Sequence, residues 1–290
     1  MRRWAGITEI AQRVDSVSER LDALPETLAA RDPGGVYLGD HTALVKTRWG
    51  GILLIDTRES VLGPALLLHG LWETDVTRWF QETLRPGEVF VDVGANVGYY
   101  TLLASRLVGD AGRVVAIEAH PRMAELLRRN VIINGRFNIS TWHRAAWWRA
   151  ETLSLHARRH FAANSSAGSL GESALQTLDD QEDVVRVDAV PLDDLLSDLP
   201  VVHLIKIDVE GAEVQVVKGL RATLEKNPRI TVIFEWSPGQ LEMVGNEPAA
   251  LVELMEGHGF KFRLMEDGLE PIRGEDLLSI HYGNVVASRT

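Results

Sequence analysis

Val89-Phe90-Val91-Asp92-Val93-Gly94-Ala95-Asn96-Val97-Gly98-Tyr99-Tyr100-Thr101 is the stretch on which the fold turns. An apolar, β-branched run ends at Gly94, and Gly98 opens a segment that reads as a helix. Glycines here let the backbone lie against a ligand, and the free N–H groups of a helix start favour polar or anionic atoms placed on them. A nucleotide-like ligand is the natural inference, although a tight strand-to-helix turn needs the same glycines.

The next apolar run, Val114-Val115-Ala116-Ile117-Glu118, narrows the choice. It ends in an acid where a doubly wound fold sets a carboxylate against the two hydroxyls of a ribose. A dinucleotide site would show G-x-G-x-x-G, with a second glycine where the pyrophosphate presses on the backbone. Gly94-Ala95-Asn96 stands in that place, so a ligand with adenosine and ribose but no diphosphate fits better. S-adenosylmethionine is the candidate, with Asp92 at the strand end near its ammonium or ribose.

Further strand-like runs are Glu88 to Val93, Arg113 to Glu118, Ile139 to His143, Val202 to Asp208 and Arg229 to Trp236, with helical stretches between them. This alternation predicts an α/β fold, a doubly wound and mostly parallel sheet covered by helices on both faces. The tail supplies a helix at Leu251 to Gly259. Two runs, around Phe260 to Leu264 and Ser279 to Ala287, predict an antiparallel edge. Ahead of the sheet, Ala43 to Thr47 and Ile52 to Asp56 flank Trp49-Gly50-Gly51 as a hairpin, and Thr74 to Leu84 reads as a helix stopped by Pro86-Gly87. The expected organisation is an amphipathic helix over 1–32, a hairpin and helix region over 33–85, and the sheet domain over 86–290, with an insertion at about 150–190 on its ligand-bearing edge. Within the first segment Ile7, Ile10, Val14, Val17, Leu21 and Leu24 form a heptad seam, which packs on its own domain or makes a homodimer.

Composition removes several alternatives. The chain has 290 residues, 45% hydrophobic and 24% charged, as a globular protein with a sizeable core does. Lys and Arg total 30 against 41 Asp and Glu, a net charge of −11, which disfavours a nucleic-acid partner gripped through phosphates. The absence of cysteine excludes disulfides, thiolate nucleophiles and thiolate-bound zinc or iron–sulfur sites. The N-terminus lacks the apolar core of a signal peptide, and no apolar window approaches the ~20 residues that span a bilayer. A cytoplasmic protein without a membrane span is expected.

The motifs in order resemble the FkbM family of S-adenosylmethionine-dependent O-methyltransferases over roughly Gly70 to Pro238. They are Gly70-Leu71-Trp72-Glu73, Pro86-Gly87-Glu88, Asp92 to Gly98, Glu118-Ala119-His120-Pro121, Val190-Pro191-Leu192-Asp193-Asp194-Leu195 and Ile205-Lys206-Ile207-Asp208-Val209-Glu210-Gly211-Ala212-Glu213. Relatives commonly carry a proline where His120 follows Ala119. The resemblance implies a class I methyltransferase fold and methyl transfer to a hydroxyl, commonly of a sugar, glycolipid precursor or natural product. It also implies that Gly94, Asn96 and Gly98 line the methionine and ribose end, Glu118 the ribose, and Arg144-Ala145-Ala146 the adenine, with Asp92 and Thr101 as neighbours. Arg144 reads equally as an ion-paired surface group.

Methyl transfer from a sulfonium needs an acceptor oxygen in line with the methyl and a base for its proton. Asp208 leads the candidates, because ligands bind at the carboxyl ends of strands in open α/β sheets. Glu210 and Glu235 share that rim. Glu213 reads as helix-dipole compensation, and Lys206 as the partner that orients Asp208. Asp208 and Glu235 on adjacent strand ends could hold Mg2+, or one could serve as base and the other accept a hydrogen bond from a sugar hydroxyl. The nine histidines show no zinc spacing, and His143 and His203 read as structural. Six of the eight tryptophans, Trp72, Trp79, Trp142, Trp147, Trp148 and Trp236, read first as packing and second as sugar-stacking surfaces. The region before Gly70 and the Asn164 to Leu170 loop are the expected acceptor walls. Two rival functions are a nucleotide-dependent dehydrogenase or epimerase and a non-catalytic cofactor-binding scaffold.

Overall fold

The computed structural model describes residues 34–158 and 182–289. The Ile7 to Leu24 seam and the Asn164 to Leu170 loop lie outside the described residues. A three-stranded antiparallel sheet comes first, of β1 (Gly35–Gly39), β2 (Thr42–Lys46) and β3 (Ile52–Asp56). The β2–β3 pair is the expected hairpin; β1 is an addition to it. Helices α1 (Leu62–His69) and α2 (Thr74–Thr83) lead into β4 (Val89–Val93), α3 (Tyr99–Val108), β5 (Arg113–Glu118), α4 (Pro121–Ile133) and β6 (Ile139–His143). A small second sheet follows, with β7 (Ala145–Ala146), β8 (Glu151–Arg158) and β9 (Glu182–Val190) in the order β7-β9-β8. The chain then returns to the main sheet through β10 (Leu204–Ile207), β11 (Thr231–Trp236), β12 (Lys261–Leu264), β13 (Glu270–Ile272) and β14 (Gly283–Ser288).

The main sheet runs β13-β12-β14-β11-β10-β4-β5-β6. From β11 to β6 neighbouring strands are parallel; β14, β12 and β13 pair antiparallel beyond β11. The doubly wound sheet with an antiparallel edge is as expected, except that the edge holds a third strand, β13, and its Glu-Pro-Ile sequence is too short and polar to announce itself. Where an insertion is expected at about 150–190, the described residues form the β8–β9 pair, matched from Glu151 with Ala189 to Arg158 with Glu182.

Strand parity explains where the chemistry lies. In β4, Val89, Val91 and Val93 pack into one apolar layer while Phe90 packs into the other, because successive side chains point to opposite faces. Asp92 therefore shares the Phe90 face. Lys206 is the register partner of Asp92 on β10, and Ala116 its partner on β5, so Lys206 and, two residues beyond Ala116, Glu118 emerge on that same face. On β11, Val232, Phe234 and Trp236 fill the first layer and leave Glu235 on the second. Four ionisable groups thus converge at the carboxyl ends of four strands. Burial of aromatics such as Phe80, Phe90 and Phe234, each worth about 1.5–3 kcal/mol, stabilises the frame that holds them.

Candidate active site

The turn after β4 is pinned from several sides. The Gly94 and Ala95 amides both donate to the Ile117 carbonyl, at 2.9 and 3.0 Å, and the Asn96 amide donates to Glu118 Oε2 at 2.7 Å. Gly94, Asn96 and Gly98 all take positive φ, +81°, +51° and +92°, the region that glycine tolerates best and asparagine next. The close approach that requires these glycines is to protein. A Cβ on Gly94 would lie 1.7 Å from the Asp208 carbonyl oxygen, and one on Gly98 would lie 2.6 Å from the Leu127 side chain. Gly94 and Asn96 line the main cavity; Gly98, at the start of α3, packs against Leu127. Thr101 sits behind Asp92. It is fully buried and donates to Asp92 Oδ2 at 2.5 Å, so it orients Asp92 and does not face the cavity.

Glu118 closes one end of the cavity. It is 8% exposed and accepts the Asn96 and His120 amides, the latter at 2.6 Å. Burial pushes its pKa up to about 7 against the pull of these N–H donors. A carboxylate offers about four lone-pair sites, more than these two amides occupy, so acceptor capacity remains for a ribose hydroxyl. Beyond it the wall is apolar, formed by Met123, Ala146, Trp147, Leu155 and Val187, a setting suited to an adenine ring. The donors and acceptors present fit S-adenosylmethionine. Arg144 also lines this end, and its guanidinium donates to the His143 carbonyl and lies 3.8 Å from Asp188, as an ion-paired group does. The His143 ring bonds to the Ala119 carbonyl and the His203 ring accepts from the Val89 amide, both structural as expected.

The other end gathers carboxylates. Lys206, 4% exposed, donates to Asp208 Oδ2 at 2.6 Å and lies 5.0 Å from the Tyr100 ring centre. Although burial opposes its charge, Asp208, Glu73 and Asp92 hold it firmly as an ammonium. Glu73 accepts from the Tyr100 hydroxyl at 2.8 Å, and burial raises its pKa. Glu235 Oε1 accepts from the Tyr282 hydroxyl at 2.7 Å, whereas its Oε2 is buried without a hydrogen-bond partner. Burial, reinforced by the negative charge of Asp208, pushes Glu235 up to about 8. Glu210 takes a hydrogen bond from Gln240 and adopts positive φ. Glu213 accepts from the Val209 and Gly211 amides, and burial raises its pKa to about 7.

Residues 92–262, more than half of the chain, match the methyltransferase FkbM domain. The chain belongs to the FkbM methyltransferase family. It is 28% identical over 194 residues to the methyltransferase sdnD of Sordaria araneosa, covering 59% of this chain and 72% of that protein. It is 27% identical over 213 residues to the 31-O-demethyl-FK506 methyltransferase FkbM of Streptomyces tacrolimicus, covering 64% and 77%. A shorter match, 36% over 56 residues, spans 19% of this chain and 26% of protein-L-isoaspartate O-methyltransferase 1 of Archaeoglobus fulgidus. Among solved structures, precorrin-6y C5,15-methyltransferase from Geobacter metallireducens is similar at a TM-score of 0.42 and 13% identity, over 75% of this chain and 88% of that one. Among the described residues no helix is long and apolar enough to cross a membrane.

The sequence alone does not single out Tyr100 and Gln240, within the FkbM domain, or Tyr282, beyond it, as site residues. Tyr100 stands in the quoted turn, and Glu73 in the Gly70-Leu71-Trp72-Glu73 motif, so a signal was present for both. Tyr282 reaches Glu235 from just before β14, far along the chain, and only the antiparallel pairing of β11 with β14 brings them together. Of the tryptophans, Trp72 and Trp147 line the cavity, Trp236 is core and donates to the Ile280 carbonyl, and Trp142 and Trp148 are exposed.

The site also sets a pH dependence. Asp92 is raised to about 6, Glu118 and Glu213 to about 7 and Glu235 to about 8, with burial the leading cause each time. Each folded value lies above the unfolded one, so the protonated group's contribution is complete below pH ~4 and is lost as pH rises through 6 to 8. The cofactor-free protein is expected to melt at progressively lower temperature from pH 5.5 to 8.5 in calorimetry. A melting temperature that rises across this range would contradict the burial assigned to these groups.

Proposed function

We propose that the chain is an S-adenosylmethionine-dependent O-methyltransferase acting on a hydroxyl of a sugar, glycolipid precursor or natural product. One observation carries this reading: Glu235 Oε2 is a buried carboxylate oxygen with no partner, at the end of a cavity whose other end suits an adenosine. The bound cofactor supplies an electrophilic methyl group. Asp92, Gly94, Asn96 and Glu118 hold it, with Ala146 and Arg144 at the adenine end. Glu235 takes the proton of the acceptor hydroxyl on Oε2 while Tyr282 fixes Oε1, and a pKa near the working pH suits a general base. Asp208, leading candidate from sequence, is paired with Lys206 and serves here to orient the acceptor. Glu210 and Trp72 complete the acceptor wall. Val61 and Leu62, from the region before Gly70, add an apolar side to it. The test is a screen of sugars, glycolipid precursors and polyketide-type alcohols with methyl-labelled cofactor. Labelled methyl ethers are the expected product; cofactor binding with no transfer to any hydroxyl would favour the scaffold reading.

A second reading adds a divalent cation. Ligand oxygens of Asp208, Glu210 and Glu235 lie within 4.8 Å of one another, a hard-oxygen set of the type Mg2+ takes. Such an ion would lower the pKa of the acceptor hydroxyl. Against it, Lys206 already supplies a positive charge at Asp208. Turnover is expected to survive excess chelator; loss on chelation with recovery on added Mg2+ would establish the metal reading instead.

A further inference from the structure

Asn130 on α4 and Asn134 at its C-cap finish the outer edge of β3. Asn134 accepts from the Ile52 amide at 3.1 Å and donates to the Ile52 carbonyl at 2.6 Å. Asn130, four residues earlier and so on the same helix face, does the same for Leu54, at 2.6 and 3.0 Å. The two differ in one respect. The Asn130 amide also donates to the Val97 carbonyl at 2.8 Å, inside the turn after β4, whereas the second bond of the Asn134 amide goes to the Asn130 carbonyl on its own helix. Asn130 is fully buried, and its side chain satisfies the outward N–H and C=O of Leu54 together with the turn.

We propose that Asn130 is a positioning residue that ties the cofactor turn to the N-terminal sheet, so that cofactor seating and the order of β3 are coupled. The geometry supports this at three points. Asn96, next to Val97, holds a φ of +51°, a left-handed conformation that a residue with a side chain keeps only when neighbours fix it. Glu118 and Ile117 pin the turn on its cavity side, and the Asn130 amide holds the Val97 carbonyl from α4. Five residues after β3 ends at Asp56 the chain reaches Val61 and Leu62, which line the cavity, so the same amide joins the cofactor's cradle to the strand that precedes the acceptor wall. The inference rests on the reading that this turn holds S-adenosylmethionine.

The test compares two isosteric changes. Asn130→Asp and Asn134→Asp both keep an oxygen for the strand amide and both lose the N–H donors. Only the first loses the bond to the turn. Calorimetric titration with S-adenosylhomocysteine should show Asn130→Asp weakened about tenfold or more, the usual cost of one buried hydrogen bond lost, with Asn134→Asp within about twofold of wild type. Hydrogen exchange of the wild type gives a readout that needs no variant: S-adenosylhomocysteine should slow exchange of the Leu54 amide. If Asn130→Asp does not fold, that exchange measurement decides. Wild type that binds the probe with equal affinities in the two variants, or with Leu54 exchange unchanged, overturns the coupling alone. Wild type that does not bind the probe overturns the cofactor reading and the coupling with it.

Discussion

Gly94→Ala is expected to abolish cofactor binding and to cost about 2–5 kcal/mol of stability. Two penalties add: a left-handed φ of +81° for a residue with a Cβ, and a methyl placed 1.7 Å from the Asp208 carbonyl oxygen. That carbonyl is main chain at the end of β10, so relief requires β4 and β10 to part where their ends frame the cavity. Gly87→Ala is the control, since Gly87 has φ +86° but no atom within 4 Å of a built Cβ. It should show only the conformational cost, about 1–2 kcal/mol, and bind S-adenosylhomocysteine as wild type does. Thermal melts and calorimetric titration of both variants check this; a Gly94→Ala protein that binds the cofactor normally would show that the turn relaxes freely.

The second large effect is expected at Glu235. Glu235→Gln keeps the shape and an acceptor oxygen for the Tyr282 hydroxyl but cannot take up a proton, so turnover should fall about 10²–10⁴-fold, the usual contribution of a general base. Affinity for S-adenosylhomocysteine should stay close to wild type, because the adenosine end lies with Glu118. The same variant removes the carboxyl whose pKa stands highest, near 8, so its melting temperature should fall less than that of the wild type between pH 7 and 8.5. Single-turnover rates with the acceptor found in the labelling screen decide the catalytic part. A rate within threefold of wild type would move the proton to another group, Asp208 first.

Much of this was legible without coordinates. The runs ending at Val93 and Glu118 and the alternation after them determined a parallel α/β sheet, because buried parallel strands must be apolar on both faces and helices must cover them. Strand parity, already written in Val91-Asp92-Val93 and Ile205-Lys206-Ile207, determined that Asp92 and Lys206 share a face. The missing second glycine of G-x-G-x-x-G pointed to a ligand with adenosine and ribose but no diphosphate. Tertiary structure alone decided which groups are already engaged. Lys206 occupies Asp208, Tyr282 arrives from the antiparallel edge to hold one oxygen of Glu235, and the other oxygen is buried without a hydrogen-bond partner. It also decided why the glycines are glycines: Gly94 yields to the Asp208 carbonyl and Gly98 to Leu127, contacts made by residues distant in the chain. Spacing along a sequence reports which face a side chain takes, since that follows from local backbone geometry. Whether a carboxylate on that face is paired, buried or free depends on strands brought together from afar, and no local pattern encodes that.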